Sequence, residues 1–252
     1  MPTHTLRKRL QDGETSVGTI QVVDSPQVSE AIGVAGMDFV IFDQEHGPLT
    51  AETSLAMAAA AQVGGAEPIV RVRTNAEHEI QRALDIGSAG VMIPQVETQA
   101  DAKAAVNAAR FAPLGERGLS QYVRAGEYAG MNEYTKRQNE ETTLIVQIEG
   151  ERGVENVQEI VAVEGIDVIF LGPYDISSSL GIPGQVHDSE VRELMAEVCD
   201  VAANSETIVG TFADDTEMAQ QWIEAGAQFV AIGVAAAHLT WQLESVVDAI
   251  DR

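Results

Sequence analysis

The chain has 252 residues, a formal net charge of −24, 45% hydrophobic residues and a single cysteine. This length fits one large α/β domain. The lone cysteine excludes an internal disulfide and a cysteine-based zinc cluster. No apolar run approaches the roughly 20 residues that span a bilayer, and Met1–Gly13 lacks the apolar core of a signal peptide. We therefore expect a cytoplasmic protein without a membrane partner.

The negative net charge limits which partners the protein can bind and indicates the environment in which it works. Nucleic acid is disfavoured as a partner, because its phosphates would be repelled. The charge fits an ordinary acidic soluble protein, and it also fits a halophilic protein from an acidic proteome, where salt screens the repulsion. Only three of the 15 basic residues are lysines: Lys8, Lys103 and Lys136. This depletion favours the halophilic interpretation.

Apolar, β-prone runs alternate with helical patterns along the whole chain. The predicted strands are Val17–Val23, Phe39–Asp43, Ile69–Val72, Gly90–Pro94, Leu144–Glu149, Val168–Gly172, Ile208–Phe212 and Phe229–Val234. The predicted helices are Ser25–Ala35, Thr50–Val63, Ala76–Ile86, Thr98–Arg110, Val154–Val161, Ser189–Ala203, Thr216–Ala225 and Ala235–Ile250. Strands that alternate with helices imply right-handed βαβ units and a parallel sheet. Eight such units at this length predict an α/β fold with a single (β/α)8 TIM barrel.

The connection between the fourth and fifth strands is unusually long. Its extended part covers about residues 111–143 and includes a polar helical stretch from about 126 to 140. Long connections in compact domains are commonly functional or part of an interface. The chain has no low-complexity linker, so we expect one TIM-barrel domain over residues 1–252.

Polar residues follow several predicted strands, and TIM-barrel active sites lie at these carboxyl ends. In chain order they are Asp43, Gln44, Glu45, His46, Arg71, Arg73, Gln95, Gln147, Glu149 and Asp175. Side-chain alternation turns Arg71 with Arg73, and Gln147 with Glu149, towards the lumen. Carboxylates on successive strands, Glu149 and Asp175, would form an oxygen-ligand site for a divalent metal.

Other roles for these residues stay open at this point. Arg71 and Glu149 would also fit a structural ion pair across the barrel mouth. Glu149 and Asp175 each precede a possible helix start and would fit helix N-caps. His46 would fit a loop histidine satisfied by backbone groups, and Asp43 and Glu45 fit more than one role.

Eight segments, in order and spaced for one barrel, carry a resemblance to a known family. They are Phe42–Pro48, Pro68–Val72, Leu84–Gly87, Val91–Val96, Pro113–Gly118, Val146–Glu149, Val163–Asp167 and Leu171–Ser177. Over about residues 16 to 235 the chain resembles the HpcH/HpaI aldolases, metal-dependent class II pyruvate aldolases that act on 2,4-dihydroxyhept-2-ene-1,7-dioate or 2-keto-3-deoxy sugar acids. The resemblance implies a barrel of the phosphoenolpyruvate/pyruvate-binding type. It also implies a homo-oligomer, a hexamer built as a trimer of dimers, in which neighbouring subunits complete each site.

The resemblance assigns roles position by position. It implies that Glu149 and Asp175 bind a divalent metal ion (Mg²⁺, Mn²⁺ or Co²⁺), that His46 is the general base, and that Arg71 stabilises the enolate. Asp85 matches the acid that orients the histidine. The substrate-binding positions implied are Gln147, Gly172, Pro173, Tyr174 and Asp175. Gln44 stands where glycine is commoner, and Tyr174 where a small residue can occur, so the resemblance leaves substrate details open.

The activity implied is reversible cleavage of a 4-hydroxy-2-keto acid to pyruvate and an aldehyde, through a metal-bound pyruvate enolate. No lysine lies at a strand exit, which disfavours a Schiff-base aldolase. One alternative is an acyl-CoA ester lyase of the citrate-lyase-like group, although no basic patch is seen for the CoA phosphates. A non-catalytic acidic barrel that serves as a binding or assembly module is the other, and the predicted base, arginine and metal ligands argue against it.

Overall fold

The computed structural model describes residues 5–130 and 132–250, and in it eight parallel strands close into a barrel. The strands are β1 (Ser16–Gln21), β2 (Phe39–Asp43), β3 (Glu67–Arg71), β4 (Gly90–Ile93), β5 (Thr143–Ile148), β6 (Val168–Leu171), β7 (Ile208–Ala213) and β8 (Phe229–Val234). Each strand pairs with the next, and β8 pairs with β1. The predicted (β/α)8 barrel is therefore confirmed.

Helices surround this barrel. They are α1 (Leu6–Gln11), α2 (Pro26–Val34), α3 (Ala51–Gly64), α4 (Glu77–Asp85), α5 (Gln99–Ala109), α6 (Tyr134–Glu141), α7 (Glu151–Glu155), α8 (Val157–Val161), α9 (Pro173–Ser179), α10 (Ser189–Ala203), α11 (Thr216–Glu224) and α12 (Ala235–Asp248). Helices α1 and α9 are not predicted from the sequence. The helix predicted over Val154–Val161 is broken at Asn156. A 3₁₀ turn covers Arg124–Gly126, and the polar stretch predicted from about 126 to 140 forms α6.

Helix ends are specified locally. Thr50 and Thr98 each begin a helix with a capping box, in which the threonine side chain accepts a backbone N–H while the third helical residue bonds back. Gly65 ends α3 with φ of 104°, a conformation that side-chain-bearing residues rarely adopt. These local signals set where α3 and α5 begin and where α3 ends.

The barrel interior is filled from its amino-terminal end. The rings of Phe39 and Phe229 stack at 3.9 Å, and Phe170 meets Phe229 edge-on. Leu6 and Leu10 of α1 join this inner cluster. Apolar packing thus closes one end of the lumen, which leaves the carboxyl ends of the strands as its open mouth.

The long β4–β5 connection is tied down at the amino-terminal face. Arg110, fully buried, donates to the carbonyl of Thr142 and to Asp167, both beside strand starts. Arg117 donates to Asp85 at 2.7 Å. Because α4 runs back from the mouth, its last residue, Asp85, lies at the face opposite the strand exits.

Candidate active site

An arginine–aspartate pair links two neighbouring strands at the mouth. Asp43 and Arg71 end β2 and β3 and are register partners. Arg71 donates through Nε to Oδ1 at 2.9 Å and through Nη2 to Oδ2 at 2.7 Å, a bidentate pair in which both residues are buried. Burial would lower the pKa of Arg71, but the hydrogen bonds and charge of Asp43 outweigh it and raise the pKa. Arg71 is therefore a fixed cation, and its direct partner is Asp43 rather than Glu149.

The Nη1 group of Arg71, which does not bond to Asp43, points across the lumen. Its Nη1 lies 3.5 Å from Gln147 Oε1 and 3.5 Å from Glu45 Oε2. The prediction that Arg73 also faces the lumen is wrong, because β3 ends at Arg71. The Arg73 side chain is 61% exposed and pairs with Glu79.

Glu45 is a largely buried carboxylate, 10% exposed, that the sequence left unassigned. Its Oε1 accepts from Gln95 Nε2 at 3.2 Å, while its Oε2 is buried without a hydrogen-bond partner among the described residues. Burial raises the pKa of Glu45. Gln95 has φ of 56°, an uncommon conformation for a residue with a side chain, and its backbone N–H donates to Glu149. A buried carboxylate oxygen without a hydrogen-bond partner can accept from a water molecule or bind a cation.

The side chains of Glu149 and Asp175 lie close together at the mouth. A Cβ at position 172 would lie 2.9 Å from Asp175 Oδ2, 3.4 Å from Gln147 Nε2 and 3.7 Å from Glu149 Cγ, so Gly172 makes room for the Asp175 carboxylate and has the other two side chains beside it. Burial, and then the charges of Glu45 and Asp175, raise the pKa of Glu149 to about 8. Neither carboxylate is an N-cap, because Gly150 and Gly172 occupy those positions.

These carboxylates suit a divalent cation. Glu45, Glu149 and Asp175 repel one another in a partly buried site, and a bound cation would remove that cost. Oxygen donors of this kind match Mg²⁺ or Mn²⁺. In residues 5–130 and 132–250 no group of three His, Cys, Asp or Glu side chains is arranged to hold a metal ion alone. Glu149 and Asp175 would thus act as two protein ligands, with positions left for water and substrate.

His46 lies at the outer edge of this site. Its ring is 68% exposed, and Nε2 is 3.8 Å from Glu45 Oε2. Its backbone N–H donates to Asp43 Oδ1 at 3.3 Å. Asp85, predicted to orient His46, instead pairs with Arg117 at the opposite face. The predicted His46–Asp85 contact is therefore not formed within one chain.

The other substrate-binding positions that the resemblance implies follow the end of β6. Pro173, buried, is the first residue of α9, and Asp175 lies in the first turn of the same short helix. The Tyr174 hydroxyl donates to Asp214 at 2.8 Å, and its ring meets Phe212 edge-on at 6.1 Å. Burial, and then the hydrogen bond and charge of Asp214, raise the pKa of Tyr174 to about 12. The phenol therefore stays protonated and acts as a donor.

None of the described helices is both long enough and apolar enough to cross a membrane.

Sequence and structure comparisons give consistent relatives. The chain is 36% identical over 220 residues, 87% of its length and 86% of the other, to the 5-keto-4-deoxy-D-glucarate aldolase of Salmonella paratyphi C. A Shigella boydii protein of the same name is 35% identical over the same shares. The structure of an HpcH/HpaI aldolase/citrate lyase family protein from Burkholderia cenocepacia superposes with a TM-score of 0.92 at 33% identity, covering 96% of this chain and 97% of that one.

A structure named citrate synthase SbnG has a TM-score of 0.88 at 28% identity, covering 97% and 96% of the two chains. The profile of the HpcH/HpaI aldolase/citrate lyase family matches residues 22–240, which include every strand exit described above. The chain therefore belongs to the HpcH/HpaI aldolase/citrate lyase family and is a carbon–carbon lyase.

Proposed function

We propose that this enzyme cleaves a 4-hydroxy-2-keto acid reversibly to pyruvate and an aldehyde, with the help of a divalent metal ion. The observation that carries this proposal is the convergence of Glu149 and Asp175 on Gly172, beside the cation of Arg71. Relatives named 5-keto-4-deoxy-D-glucarate aldolase support the same reaction class.

The side chains at the barrel mouth would share the steps of this reaction. Glu149 and Asp175 would hold the cation, which when bound supplies Lewis acidity to the oxygens of the keto acid. Arg71, locked by Asp43, directs Nη1 into the lumen and stabilises negative charge on the enolate oxygen. Gln147, buried between Arg71 and Gly172, positions the carboxylate end of the substrate.

His46 supplies the proton transfer. An imidazole nitrogen can accept a proton and later donate it, so His46 can take the proton of the C4 hydroxyl in cleavage and return it in condensation. Its exposed ring at the edge of the mouth is accessible to an entering aldehyde. The C3–C4 bond breaks as that proton leaves, and its electron pair becomes the enolate of pyruvate.

A pyruvate-release assay with Mg²⁺ or Mn²⁺ tests the proposal. Glu149→Gln and His46→Ala are expected to lose most activity, and a chelator should abolish that of the unmodified enzyme. Glu197→Gln, on the exposed surface of α10, is a matched control that removes one carboxylate far from the mouth and should keep full activity. Full, chelator-insensitive activity in Glu149→Gln or His46→Ala would refute it.

We further propose that Asp85 acts on a neighbouring subunit's site. Its place at the opposite face of its own barrel excludes a contact with its own His46, while Arg117 holds its carboxylate at the protein surface. Mixing the inactive variants Asp85→Ala and His46→Ala should restore part of the activity, because some mixed sites combine an intact histidine with an intact aspartate. Subunits that fail to complement after co-refolding would contradict this role.

We propose that the enzyme acts as a homo-oligomer, a hexamer built as a trimer of dimers. Helix α12 supports an assembly, since none of its residues is buried although it carries several large apolar side chains.

The second candidate function is that of an acyl-CoA ester lyase, in line with a similar structure named citrate synthase. Acetyl-CoA in place of pyruvate in the condensation assay separates the two.

A further inference from the structure

One residue at the exit of β4 has an uncommon backbone conformation. Strand β4 ends at Ile93, and Gln95, two residues later, has φ of 56°. A residue with a side chain adopts this left-handed conformation at a cost in free energy, and such residues cluster at functional sites. Gln95 follows β4 and therefore lies between the exits of β3 and β5, which carry Arg71 and Glu149.

The main chain after β4 is tied to the exit of β5. The N–H of Gln95 donates to the Glu149 carboxylate. The N–H of the next residue, Val96, donates to the carbonyl of Gln147 at 3.0 Å. These two bonds hold the left-handed turn in place, and they thereby set the direction in which the Gln95 side chain leaves the backbone.

The side chain of Gln95 holds a second carboxylate. Its Nε2 donates to Glu45 Oε1 at 3.2 Å. The other oxygen, Glu45 Oε2, lies 3.5 Å from Arg71 Nη1 and 3.8 Å from His46 Nε2. Gln95 thus fixes one end of a carboxylate whose other end lies between the proposed enolate-stabilising cation and the proposed general base.

The charges around Glu45 give this bond its importance. The charges of Glu45 and Asp175 both act on Glu149 and raise its pKa. Because like charges repel, a mobile Glu45 side chain would turn away from Glu149 and towards solvent. An amide donor holds Glu45 in place and adds no second cation that would compete with Arg71 for it.

We infer that Gln95 is a positioning residue of the active site, which holds the Glu45 carboxylate between Arg71 and His46. This inference rests on the proposed aldolase function and adds to it a residue beyond the metal ligands and the general base. Gln95 acts through Glu45, by keeping that carboxylate oriented towards the imidazole of His46. A carboxylate in this place stabilises the imidazolium that forms when the base takes up a proton.

The variant Gln95→Gly tests the inference in the intact enzyme. Glycine keeps the N–H that donates to Glu149 and adopts the left-handed backbone without strain, and loss of the exposed side chain leaves no cavity. The melting temperature, and the Mn²⁺ affinity measured by electron paramagnetic resonance, should therefore match those of the unmodified enzyme. Because the bond to Glu45 is lost, kcat should fall about tenfold, a part of the ~10²- to 10⁴-fold that a general base contributes.

Pyruvate release is measured with the better of two 4-hydroxy-2-keto acids, 4-hydroxy-2-ketopentanoate and 5-keto-4-deoxy-D-glucarate. Glu133→Gly is the matched control, because it relieves a φ of 57° in an exposed residue before α6, and it should keep the original kcat. Full kcat in Gln95→Gly would overturn the inference. A fall in kcat with an equal loss of Mn²⁺ affinity would also overturn it, because Gln95 would then support the metal ligands rather than Glu45.

A double-mutant cycle identifies the route by which Gln95 acts. In a Glu45→Ala background, Gln95→Gly should lower kcat by less than about twofold, because the carboxylate that Gln95 holds is already gone. A merely structural role would give the same loss with and without Glu45. Equal losses in the two backgrounds would therefore contradict the assignment.

The unmodified enzyme separates this inference from the proposed function. If it releases pyruvate while Gln95→Gly keeps full kcat, the inference alone fails. If it releases no pyruvate from either keto acid with Mn²⁺ present, the proposed function fails, and the inference fails with it.

Discussion

Glu149 is the side chain whose protonation matters most for the folded protein without metal. Its pKa of about 8 lies above the ordinary value of 4.5, so between these values the folded chain binds a proton that the unfolded chain has released. The free energy of unfolding should therefore decrease as pH rises from 4.5 towards 8. Urea denaturation in the presence of a chelator measures this slope, and Glu149→Gln should make it shallower.

A divalent cation should reverse that loss. At pH 8, Mn²⁺ should raise the melting temperature of the unmodified protein and have much less effect on Glu149→Gln, because a cation that binds only the folded state stabilises it. Identical pH slopes in the two proteins, together with equal responses to Mn²⁺, would show that Glu149 is neither strained nor a ligand.

The Asp43–Arg71 pair gives a second prediction at this scale. Asp43→Ala leaves a buried cation unpaired, which typically costs about 3–5 kcal/mol of stability. It should also reduce kcat by about 10²-fold, since Arg71 loses its orientation. Urea denaturation and pyruvate-release kinetics measure both effects. Glu79→Ala, which unpairs the exposed Arg73, is the matched control and should cost far less; equal losses would contradict the role given to the buried pair.

Residue contacts explain what the sequence could reveal of the site. Alternation along short strands was sufficient to place Arg71, Gln147 and Glu149 in the lumen. It was wrong for Arg73, since a strand's last residue is set by pairing with its neighbours. Asp43 stayed ambiguous for a related reason, because its partner belongs to another strand and only the register of β2 against β3 brings the two together.

At the scale of elements, α12 is a helix that has no buried residue. Leu239, Leu243, Val246, Val247 and Ile250 recur at helical spacing, and each is about half exposed or more. An apolar stripe of this length normally lies against another surface. The helix therefore supports the proposed assembly and indicates where one copy meets another.

Leu243→Glu tests that role of α12. A charge in the middle of the stripe should dissociate the oligomer or reduce its size, with a loss of activity if subunits complete each other's sites. Light scattering after size exclusion measures the mass. Ser245→Glu places the same charge on another side of the helix and should leave the mass unchanged. A monomer in the unmodified protein, or an intact oligomer in Leu243→Glu, would contradict this prediction.

Element prediction succeeded where the local signals were complete. Long helices with a threonine cap and a terminal glycine, such as α3, were found to within a residue or two. The short helices were missed, because α9 has only seven residues and follows directly from β6. The break at Asn156 was also missed, since the apolar spacing continues across it; the residue has φ of −98° and ψ of 8°, and its side chain donates to the carbonyl of Glu97.

At the scale of the whole molecule, the net charge of −24 should make stability depend on salt. Repulsion among scattered carboxylates acts against the compact state, and at ~1 M salt the screening length falls to ~3 Å. We expect the melting temperature to rise steadily from low salt to about 1 M NaCl, measured with a chelator present so that metal binding does not contribute.

A charge variant separates screening from other effects of salt. Glu30→Lys, Glu193→Lys and Glu197→Lys, combined, add positive charge on exposed surfaces of α2 and α10. This variant should be more stable than the unmodified protein at low salt, and its melting temperature should rise less with NaCl, because less repulsion is left to screen. Salt also strengthens apolar burial, and that contribution would be shared by both proteins. If the melting temperatures of the two proteins rose in parallel with NaCl, the acidic surface would not limit stability. The proposed adaptation to high salt would then be unsupported.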